Sequence, residues 1–371
     1  MKGINIMKSY TGLWDKIIDE ENLLKAYYKA RKGKRHKREV INFSSDLIRN
    51  IYKLHTELKN GIWRSHKFNC FYTRTEVKLR YIQAPSFEDR IVHHAIMLVC
   101  LPIFEKSLIP TTYACIKDRG NHRAVLKVKE YAGYYSKEDY VLQIDLHKFF
   151  PSIDINILLK MINKMFRETK LQNLFKEILN HEWDKDKILK GLPIGALTSQ
   201  VLANLYLTKM DHYIKEVLHI KHYVRYMDDL ILFFKNKEAA WSCLNKLKEY
   251  VSVNLNLELN PKSRVYKLKQ GIDFAGYRTF KNKIHYRKRN IKQAIIRFRR
   301  YNNCIINDKP QLDTLYQRVS SFLSYIDLVT FNYYSSLIKR VMKPILHLRE
   351  VIMLYEKFKN KWSSSKIFSL L

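Results

Sequence analysis

The chain has 371 residues, 46% of them hydrophobic, which suffices for a large core in two or three subdomains and excludes a disordered protein. Its 68 Lys and Arg residues outnumber its 35 Asp and Glu residues and leave a net charge of +33. A charge this high is far beyond what solubility requires, so we expect a long polyanion as partner, with an anionic membrane as the competing partner.

Membrane insertion and disulfide bonding are both disfavoured by the sequence. The chain has no run of eighteen apolar residues, and its start lacks the pattern of a signal peptide, so we expect a soluble intracellular protein. The five cysteines, at positions 70, 100, 115, 243 and 304, are scattered, odd in number and never in CxxC spacing. We therefore expect reduced thiols and neither a disulfide framework nor a zinc site.

The N-terminal part combines predicted helices with a basic run. Residues 13–32 carry apolar groups at helical spacing, and a second helix is predicted from Ser44 or Ser45 to Gly61. Eight of the fourteen residues 25–38 are Lys or Arg and none is acidic. Such a run is often only a solvated face, but its aromatic neighbours favour contact with nucleic acid. The second helix is expected to bury Leu47, Ile48, Ile51, Leu54 and Leu58.

A hairpin and a long helix are predicted next. Residues 68–84 alternate apolar and polar groups and end before Pro85, which predicts two paired strands. Residues 86–108 predict an amphipathic helix that is interrupted at Pro102. Adjacent residues on a helix point about 100° apart, so His93 and His94 cannot meet one metal ion and are interpreted as ordinary side chains.

Asp145 is the first acidic residue that calls for an explanation. It lies between Ile144 and Leu146 in the stretch 141–154, which is predicted to begin as a buried strand with this acid in its middle. An unpaired buried carboxylate costs several kcal/mol, so we expect it to meet a metal or a cation. A polar helical region, 155–183, a glycine-containing loop, 191–200, and a strongly apolar helix, 201–218, follow it.

Two adjacent acids occupy the tip of a second predicted hairpin. Apolar arms, 223–226 and 230–233, flank Asp228 and Asp229. Adjacent carboxylates repel each other unless a positive charge neutralises them, and their oxygens suit Mg²⁺ or Mn²⁺. A solvated turn is the alternative interpretation. A helix over 237–254, short strands within 255–264 and 271–280, and a basic helical region from 281 onward complete the chain.

The run Tyr226-Met227-Asp228-Asp229 resembles the YxDD signature of reverse transcriptases, and several further motifs occur in that family's order over residues 65–285. The resemblance implies an α+β right-hand polymerase with fingers, a palm built on an antiparallel sheet, and a helical thumb. The corresponding division is 1–60 for a basic helical N-terminal extension, 61–140 for fingers, 141–280 for palm and 281–371 for thumb.

The same resemblance implies nucleotidyl transfer assisted by two Mg²⁺ ions, with Mn²⁺ as the alternative ion. It assigns Asp145 and Asp228 as the principal catalytic ligands, Asp229 as a supporting acid and the Leu146 carbonyl as a backbone ligand. The residues that it implies for nucleotide binding are Lys78, Arg80, Phe150, Ile194, Gly195, Gln200 and Lys262.

Further roles follow from the same family. Phe150 matches the aromatic residue that excludes a ribose 2′-hydroxyl, with a core aromatic as the alternative. Arg80, assisted by Lys78, matches the arginine that contacts the triphosphate, and Lys262 matches a lysine near the leaving pyrophosphate, with a surface lysine as its alternative. The predicted primer grip comprises Phe274, Gly276 and Tyr277. The predicted RNA contacts are Arg31, Lys32, Lys34, Arg35, Arg287, Lys288, Arg289 and Arg297.

The glycine motif narrows the resemblance. Ile194 precedes Gly195 and Ser199-Gln200 closes the motif, an IGxxxSQ form that resembles the reverse transcriptases of diversity-generating retroelements. This implies a cytoplasmic, bacterial or phage-encoded enzyme that makes error-prone cDNA, with misincorporation opposite adenines. The implied partners are a template-repeat RNA, the RNA/cDNA hybrid, deoxynucleoside triphosphates and a small basic accessory variability determinant protein, itself oligomeric.

Three alternatives stay open. A defence-associated or retron-like reverse transcriptase shares most motifs, although Gln200 argues against a retron. A group II intron maturase is disfavoured because no Cys and His clusters typical of an appended endonuclease occur near the C-terminus. A catalytically silent RNA-binding scaffold would explain the charge equally well, but it has no need of the acids.

Overall fold

The computed structural model describes residues 9–75, 78–179 and 190–307, together with scattered positions between 317 and 341. Helices and strands are mixed, which confirms the predicted α+β class. The chain forms two compact units: the first comprises Met1–Asp118, Leu142–Leu232 and Trp241–Arg264, and the second comprises Arg119–Val141, Phe233–Ala240 and Val265–Leu371. The division into extension, fingers, palm and thumb stays a prediction, and most of its last segment lies outside the described residues.

The first unit begins with a group of short helices, α1 (Trp14–Ile18), α2 (Glu20–Ala30), α3 (Arg38–Ser45) and α4 (Leu47–Lys59). The helix predicted over 13–32 is thus two helices, separated at Asp19, whose carboxylate accepts a hydrogen bond from the Asn22 backbone N–H as the N-cap of α2. The sequence analysis missed α3, which overlaps the end of the basic run and buries Val40 and Phe43.

Helix α4 begins at Leu47, two to three residues later than predicted, and ends close to the expected stop at Gly61. Ile51, Leu54 and Leu58 are buried as predicted. The prediction for Ile48 was wrong, because this side chain is 76% exposed. A helix buries only a stripe of its surface, and Ile48 lies outside the stripe that the later apolar residues define.

The predicted hairpin over 68–84 is confirmed as strands β1 (Asn69–Thr75) and β2 (Lys78–Ala84). Helix α5 (Phe87–Ser107) follows, and the Ser86 side chain caps it by accepting a hydrogen bond from the Asp89 N–H. The predicted interruption at Pro102 was wrong, because α5 continues through it. Proline removes one backbone hydrogen bond, and burial of Cys100 and Phe104 on either side holds the helix together.

The middle of the chain contributes residues to both units, with Arg119–Val141 in the second and Leu142–Leu232 in the first. It comprises α6 (Asn121–Gly133), β3 (Tyr140–Ile144), α7 (Phe149–Ser152), α8 (Ile155–Met165) and α9 (Thr169–Leu179). Helices α8 and α9 confirm the helical region predicted over 155–183 as far as Leu179, and residues 180–183 lie outside the described residues. Asp145 comes directly after β3, so it lies at the end of the strand and not inside it as predicted.

The apolar helix predicted over 201–218 is confirmed, with an earlier start. It consists of α10 (Leu197–Tyr206), α11 (Thr208–His212) and a wider π-helical turn over Tyr213–Val217. Ser199 and Gln200 therefore lie on α10 and not in the preceding loop. Strands β4 (Tyr223–Tyr226) and β5 (Asp229–Phe234) and helix α12 (Lys237–Leu255) follow, and each matches a predicted element.

The remaining elements are β6 (Arg264–Lys267), β7 (Ile272–Phe274), β8 (Tyr277–Thr279), β9 (Ile284–Tyr286) and α13 (Lys288–Asn307). The strand predicted within 255–264 was wrong for most of its length: Leu259 forms an isolated bridge with Leu146, and β6 begins only at Arg264. Strand β9 was missed, because it lies in a run whose basic residues mask its three-residue pattern.

The described strands form three sheets. Strands β1 and β2 form a two-stranded sheet, a four-stranded sheet has the order β4-β5-β3-β6, and β7, β8 and β9 form a three-stranded sheet. Strand β5 is almost fully buried from Leu230 onward, as the apolar arm of its hairpin predicts. Among the described residues, no helix combines the length and apolar character needed to cross a bilayer.

Candidate active site

Asp228 lies in the two-residue turn that joins β4 to β5. The antiparallel register places Tyr226 opposite Asp229, so Met227 and Asp228 form the turn. Met227 has a left-handed backbone, with φ of 57°, a conformation that costs a residue with a side chain about 1 kcal/mol. Asp229 is the first residue of β5, not a tip residue as predicted. Both carboxylates are half-buried.

Asp145 is held by the loop that follows α12. The Asn260 backbone N–H donates to the Asp145 carbonyl at 2.8 Å, and the Asn260 side-chain Nδ2 donates to Asp145 Oδ2 at 2.7 Å. The Asp145 N–H donates to Ser263 Oγ at 3.3 Å. Asp145 is half-buried, and its oxygens accept hydrogen bonds from Asn260. Its burial alone therefore does not require the metal ion or cation that the sequence context predicted.

Asp145 directly follows β3 and Asp228 directly precedes β5, and these two strands are neighbours in the four-stranded sheet. Burial is the main cause that raises the pKa of Asp228, and the negative charge of Asp145 raises it further. The positive charges of Arg80 and Arg225 act in the opposite direction, as does a hydrogen bond with the backbone of Asp228 itself. Two acids that repel each other in a partly dehydrated place would gain from a cation between them.

A divalent cation fits the donor atoms present. Leu146 forms an antiparallel bridge with Leu259, and the flanking hydrogen bonds are made by its chain neighbours Asp145 and His147. In such a pair the Leu146 carbonyl points away from the bridged segment. Carboxylates and a carbonyl are the oxygen ligands that Mg²⁺ and Mn²⁺ take. Within the described ranges, no group of three or more His, Cys, Asp or Glu side chains surrounds one metal position, so the part of Asp229 stays a prediction.

Strand β2, which carries Arg80, is hydrogen-bonded to the glycine motif. The Gln83 N–H of β2 donates to the Ile194 carbonyl at 2.9 Å. Gly195 has φ of 135°, and a Cβ there would lie 3.0 Å from the Gln83 carbonyl oxygen and 3.1 Å from the Ile82 side chain. Only glycine allows this approach. Arg80 is exposed on the same strand.

Three further predicted nucleotide contacts differ in their exposure to solvent or in how much of them is described. The Ile194 side chain is half-buried, whereas Gln200 is exposed on α10. The backbone of Lys78 begins β2, and its side chain lies outside the described residues.

Phe149 and Phe150 have different environments. Phe149 is 2% exposed and belongs to the core. Phe150 is half-exposed, and its ring centroid lies 5.6 Å from that of Phe149 in an edge-to-face arrangement. The Phe150 carbonyl accepts a hydrogen bond from the Leu192 N–H at 2.9 Å, which ties α7 to the glycine-containing loop. The core alternative therefore fits Phe149 and not Phe150.

Lys262 is exposed in the loop that holds Asp145. Its backbone N–H donates to Asn260 Oδ1 at 3.1 Å, so the two ends of the Asn260 amide join the Lys262 backbone to the Asp145 carboxylate. Asn260 was not predicted as a site residue from the sequence. An asparagine before a proline predicts a turn, and nothing in the sequence indicates that this turn returns to β3.

The predicted primer grip lies in the second unit. Phe274 and Tyr277 are fully buried, so their side chains support the sheet of β7 to β9. Ala275 and Gly276, with φ of 46° and 93°, form the two-residue turn between them. The Gly276 carbonyl accepts hydrogen bonds from the Arg287 N–H and from Asn290 Nδ2, both at 3.3 Å. Any contact of this turn with a primer would be made by its backbone.

The predicted RNA contacts are only partly exposed. Lys32 and Arg35 are exposed in the first unit, and Lys288, Arg289 and Arg297 are exposed in the second. The guanidinium of Arg31 lies over the Tyr28 ring at 4.9 Å and donates to the Tyr27 hydroxyl at 2.9 Å. The remaining two, Lys34 and Arg287, are half-buried.

Arg225 is a second residue that the sequence analysis missed. It lies in β4 between two apolar neighbours and is fully buried. A charged residue inside an apolar strand requires a buried partner, which is the signal that could have found it. The partner is Asp211, whose Oδ2 lies 2.6 Å from Arg225 Nη2.

Comparison with known proteins supplies a family match. A family model described as "Reverse transcriptase (RNA-dependent DNA polymerase)" matches residues 67–279. Group II intron-encoded protein LtrA of Lactococcus lactis subsp. cremoris is 24% identical over 182 residues, which cover 47% of this chain and 29% of that protein. Protein YkfC of Escherichia coli (strain K12) is 23% identical over 282 residues, which cover 65% of this chain and 74% of that protein.

A solved structure of telomerase from Candida albicans, in complex with a fragment of telomeric RNA, is similar with a TM-score of 0.46 and 10% sequence identity. It covers 86% of this chain and 67% of the telomerase chain. The chain spans less than a third of the length of the lactococcal relative.

Proposed function

Since the chain belongs to the reverse transcriptase (RNA-dependent DNA polymerase) family, we propose that it copies RNA into DNA by adding deoxynucleotides to a nucleic-acid 3′ end. Membership of the family also confirms the predicted right-hand polymerase fold class. The observation that supports the proposed activity is that Asp145 and Asp228 border the neighbouring strands β3 and β5, with the positive charge of Arg80 acting to lower the pKa of Asp228. Nucleotidyl transfer assisted by metal ions uses neighbouring acids as metal ligands and a positively charged side chain that binds the phosphates.

The proposed cofactor is a pair of divalent ions, Mg²⁺ with Mn²⁺ as substitute. Asp145, Asp228 and the Leu146 carbonyl would hold them, with Asp229 as a supporting acid. When bound, such ions activate the attacking 3′-hydroxyl and neutralise charge on the leaving pyrophosphate. Asn260 orients the Asp145 carboxylate through its bond to Oδ2, which leaves the second carboxylate oxygen for this role.

The substrate is proposed to be a deoxynucleoside triphosphate. The exposed guanidinium of Arg80 offers a planar fork of donors to phosphate oxygens, with Lys78 and Lys262 adding positive charge. Phe150 is proposed to lie against the sugar, where its ring would clash with a 2′-hydroxyl. Its half-exposed position supports this role, because a ring in the core could not reach a nucleotide.

Primer extension on an RNA template with Mg²⁺ and deoxynucleotides tests the proposed activity. Asp228→Asn keeps the shape of the side chain and removes its charge. We expect the extension rate to fall by about a thousandfold or more, because charge stabilisation by a metal ion is worth several kcal/mol in the transition state. Glu249→Gln, which neutralises an exposed acid on α12, is the matched control and should extend at the wild-type rate.

The scaffold alternative predicts a different result. A protein that binds RNA tightly but extends no primer, as wild type or as Asp228→Asn, would establish RNA binding without polymerisation. Because a missing accessory protein would also give no extension, the assay includes any accessory protein encoded beside the gene. Extension by wild type that survives Asp228→Asn would instead remove Asp228 from the proposed catalytic pair.

The narrower proposal concerns the type of reverse transcriptase. The IGxxxSQ form of residues 194–200 supports an enzyme of a diversity-generating retroelement, making error-prone cDNA from a template-repeat RNA together with a small basic accessory variability determinant protein. Ile194 offers only apolar contact where a glutamine would hydrogen-bond, so a misaligned nucleotide meets a smaller penalty.

Ile194→Gln tests the fidelity role. We expect misincorporation opposite template adenines to fall about fivefold, the factor that corresponds to about 1 kcal/mol for one hydrogen bond. The measurement is sequencing of cDNA made from an adenine-rich template, with Leu192→Met, a volume-conserving change in the same loop, as control. An unchanged error spectrum in Ile194→Gln would remove the proposed role.

An intron-associated reverse transcriptase is the second candidate, because the relatives include intron-encoded proteins. The sequence that surrounds the gene distinguishes the candidates. A near-duplicate repeat pair and an accessory gene would support the diversity-generating role. A structured intron RNA around the gene would support the second candidate. The absence of both features would support a defence-associated enzyme.

A further inference from the structure

Arg225 and its partner Asp211 are both charged residues with 0% exposure. Arg225 Nε donates to Asp211 Oδ1 at 2.8 Å, and Nη2 donates to Oδ2 at 2.6 Å. The Tyr223 hydroxyl donates to the same Asp211 Oδ1 at 2.7 Å. The guanidinium is therefore fixed by a two-bond contact that allows one orientation of its plane.

This orientation directs Nη1 to the turn that carries Asp228. Nη1 donates to the Met227 carbonyl at 3.0 Å and to Asn204 Oδ1 at 2.9 Å. Asn204 is in turn anchored, because its Nδ2 donates to the Ala114 carbonyl at 2.8 Å. One guanidinium thus connects two helices, α10 and α11, to the peptide group that directly precedes Asp228.

The backbone of Arg225 is fixed as well. Its N–H donates to the Thr111 carbonyl, and its carbonyl accepts from the Tyr113 N–H, both at 3.0 Å. These two bonds anchor β4, so the bond from Nη1 to the Met227 carbonyl constrains the orientation of the turn relative to the strand. The left-handed backbone of Met227 is a strained conformation that persists only where surrounding contacts enforce it.

Stability alone does not require this arrangement. A buried ion pair costs several kcal/mol in lost hydration for each ion, and well-packed apolar residues often replace such a pair without loss of stability. A guanidinium differs from an apolar side chain, and from lysine, in holding several acceptors at fixed angles. The acceptor atoms of the Arg225 guanidinium lie on three residues, Asp211, Asn204 and Met227.

We propose that Arg225 is a positioning residue, which acts through its bond to the Met227 carbonyl to hold the Asp228 carboxylate where it shares a cation with Asp145. Asp211 and Asn204 act as its anchors. This inference rests on the proposed polymerase function, and it assigns Arg225 no contact with substrate. It predicts that loss of the Nη1 bond weakens cation binding and turnover but leaves RNA and nucleotide binding intact.

Two variants separate positioning from charge burial. Arg225→Lys keeps the charge opposite Asp211 but lacks the fork that also reaches Met227. The triple variant Arg225→Met, Asp211→Leu, Tyr223→Phe removes both charges and the attached hydroxyl, so it leaves no buried charge unpaired and does not depend on the ion pair to fold. Arg49→Lys, at an exposed position on α4, is the matched control.

Primer extension gives kcat and KM for the nucleotide, and electron paramagnetic resonance of free Mn²⁺ gives the affinity of each protein for Mn²⁺. We expect both variants to lose about 10- to 100-fold in kcat and in Mn²⁺ affinity, the usual effect of removing a group that orients a metal ligand. KM and RNA affinity should stay within about twofold of wild type, because binding residues are untouched. Arg49→Lys should match wild type throughout.

The triple variant decides the question. If it has wild-type kcat and wild-type Mn²⁺ affinity, Arg225 only satisfies a buried charge and the positioning role is overturned. If wild type itself extends no primer, the proposed polymerase function fails, and Mn²⁺ affinity alone then decides the role of Arg225. Equal Mn²⁺ affinity in wild type and both variants would overturn the inference in that case as well.

Discussion

Asn260 contacts Asp145 through its backbone and through its side chain, and both contacts favour one orientation of the carboxylate. An amide can donate from Nδ2 while its Oδ1 accepts, here from the Lys262 N–H. A carboxylate in the same place could only accept. The identity of this side chain therefore affects the orientation of the Asp145 carboxylate.

Replacement of Asn260 by aspartate tests this contact. Asn260→Asp puts a second negative charge against Asp145 and removes the Nδ2 donor, so we expect the extension rate to fall by about 10- to 100-fold. The measurement is single-turnover primer extension at saturating Mg²⁺. Asn254→Asp, an exposed change on α12, is the matched control and should leave the rate unaltered. A wild-type rate in Asn260→Asp would mean that Asp145 is oriented by other groups.

The hairpin of β4 and β5 could be predicted from sequence because a local pattern determines it. Two apolar arms around a short polar break define a hairpin, and its register follows from the length of the turn. Asn260 and Arg225 could not be found in this way, because their partners are 115 and 14 residues distant in sequence. Long-range hydrogen bonds leave no periodic signal.

Helices show the same contrast between local and tertiary information. Proline at position 102 predicts a break, yet α5 continues because burial on both sides outweighs one lost hydrogen bond. Helix α3 was missed because it begins at the last residue of the basic run and its buried apolar stripe comprises only Val40 and Phe43. In both cases tertiary packing overrides the preference of the local sequence.

Helix α5 also carries a group that makes the fold sensitive to acid. Burial lowers the pKa of His94 to about 4, and the positive charges of Lys29, Lys34 and Arg90 contribute in the same direction. In the unfolded chain a histidine has a pKa near 6.5. Between these values the unfolded state binds more protons than the folded state, so stability is present above about pH 6.5 and is lost as the pH falls towards 4.

His94→Gln should weaken this acid sensitivity. The pKa difference sets an upper limit of about 3 kcal/mol, and the partial exposure of the ring reduces the expected contribution to about 1 kcal/mol. We expect the melting temperature of the variant to fall less than that of wild type between pH 7 and pH 4.5, measured by calorimetry at constant ionic strength. His36→Gln, at an exposed position, should follow the wild-type curve. A His94→Gln curve parallel to wild type would contradict the assignment.

At the scale of the whole molecule, the two compact units could not be recognised from the sequence. Each unit is assembled from three stretches that alternate along the chain, so no linker rich in glycine, proline or serine marks a border. Composition does predict a property of the whole chain, because a net charge of +33 implies an attraction for polyanions whatever the fold. Exposed basic residues occur in both units.

This charge predicts a steep dependence of RNA affinity on salt. Binding releases cations condensed on the RNA, so the logarithm of the affinity falls with the logarithm of salt concentration by about 0.7 for each phosphate neutralised on a single strand. We expect a loss of about a thousandfold between roughly 50 and 200 mM salt. Fluorescence anisotropy with a labelled template RNA measures it.

Charge-removing variants locate the residues responsible. Lys32→Gln with Arg35→Gln, and separately Lys288→Gln with Arg289→Gln, should each reduce the salt slope by about one to two, since each pair removes two exposed charges. Lys267→Gln is the matched control, because the Lys267 ammonium is already paired with Glu138 at 2.7 Å and has little charge to offer a phosphate. A slope that neither double variant changes would place the RNA on a surface that includes none of these four residues.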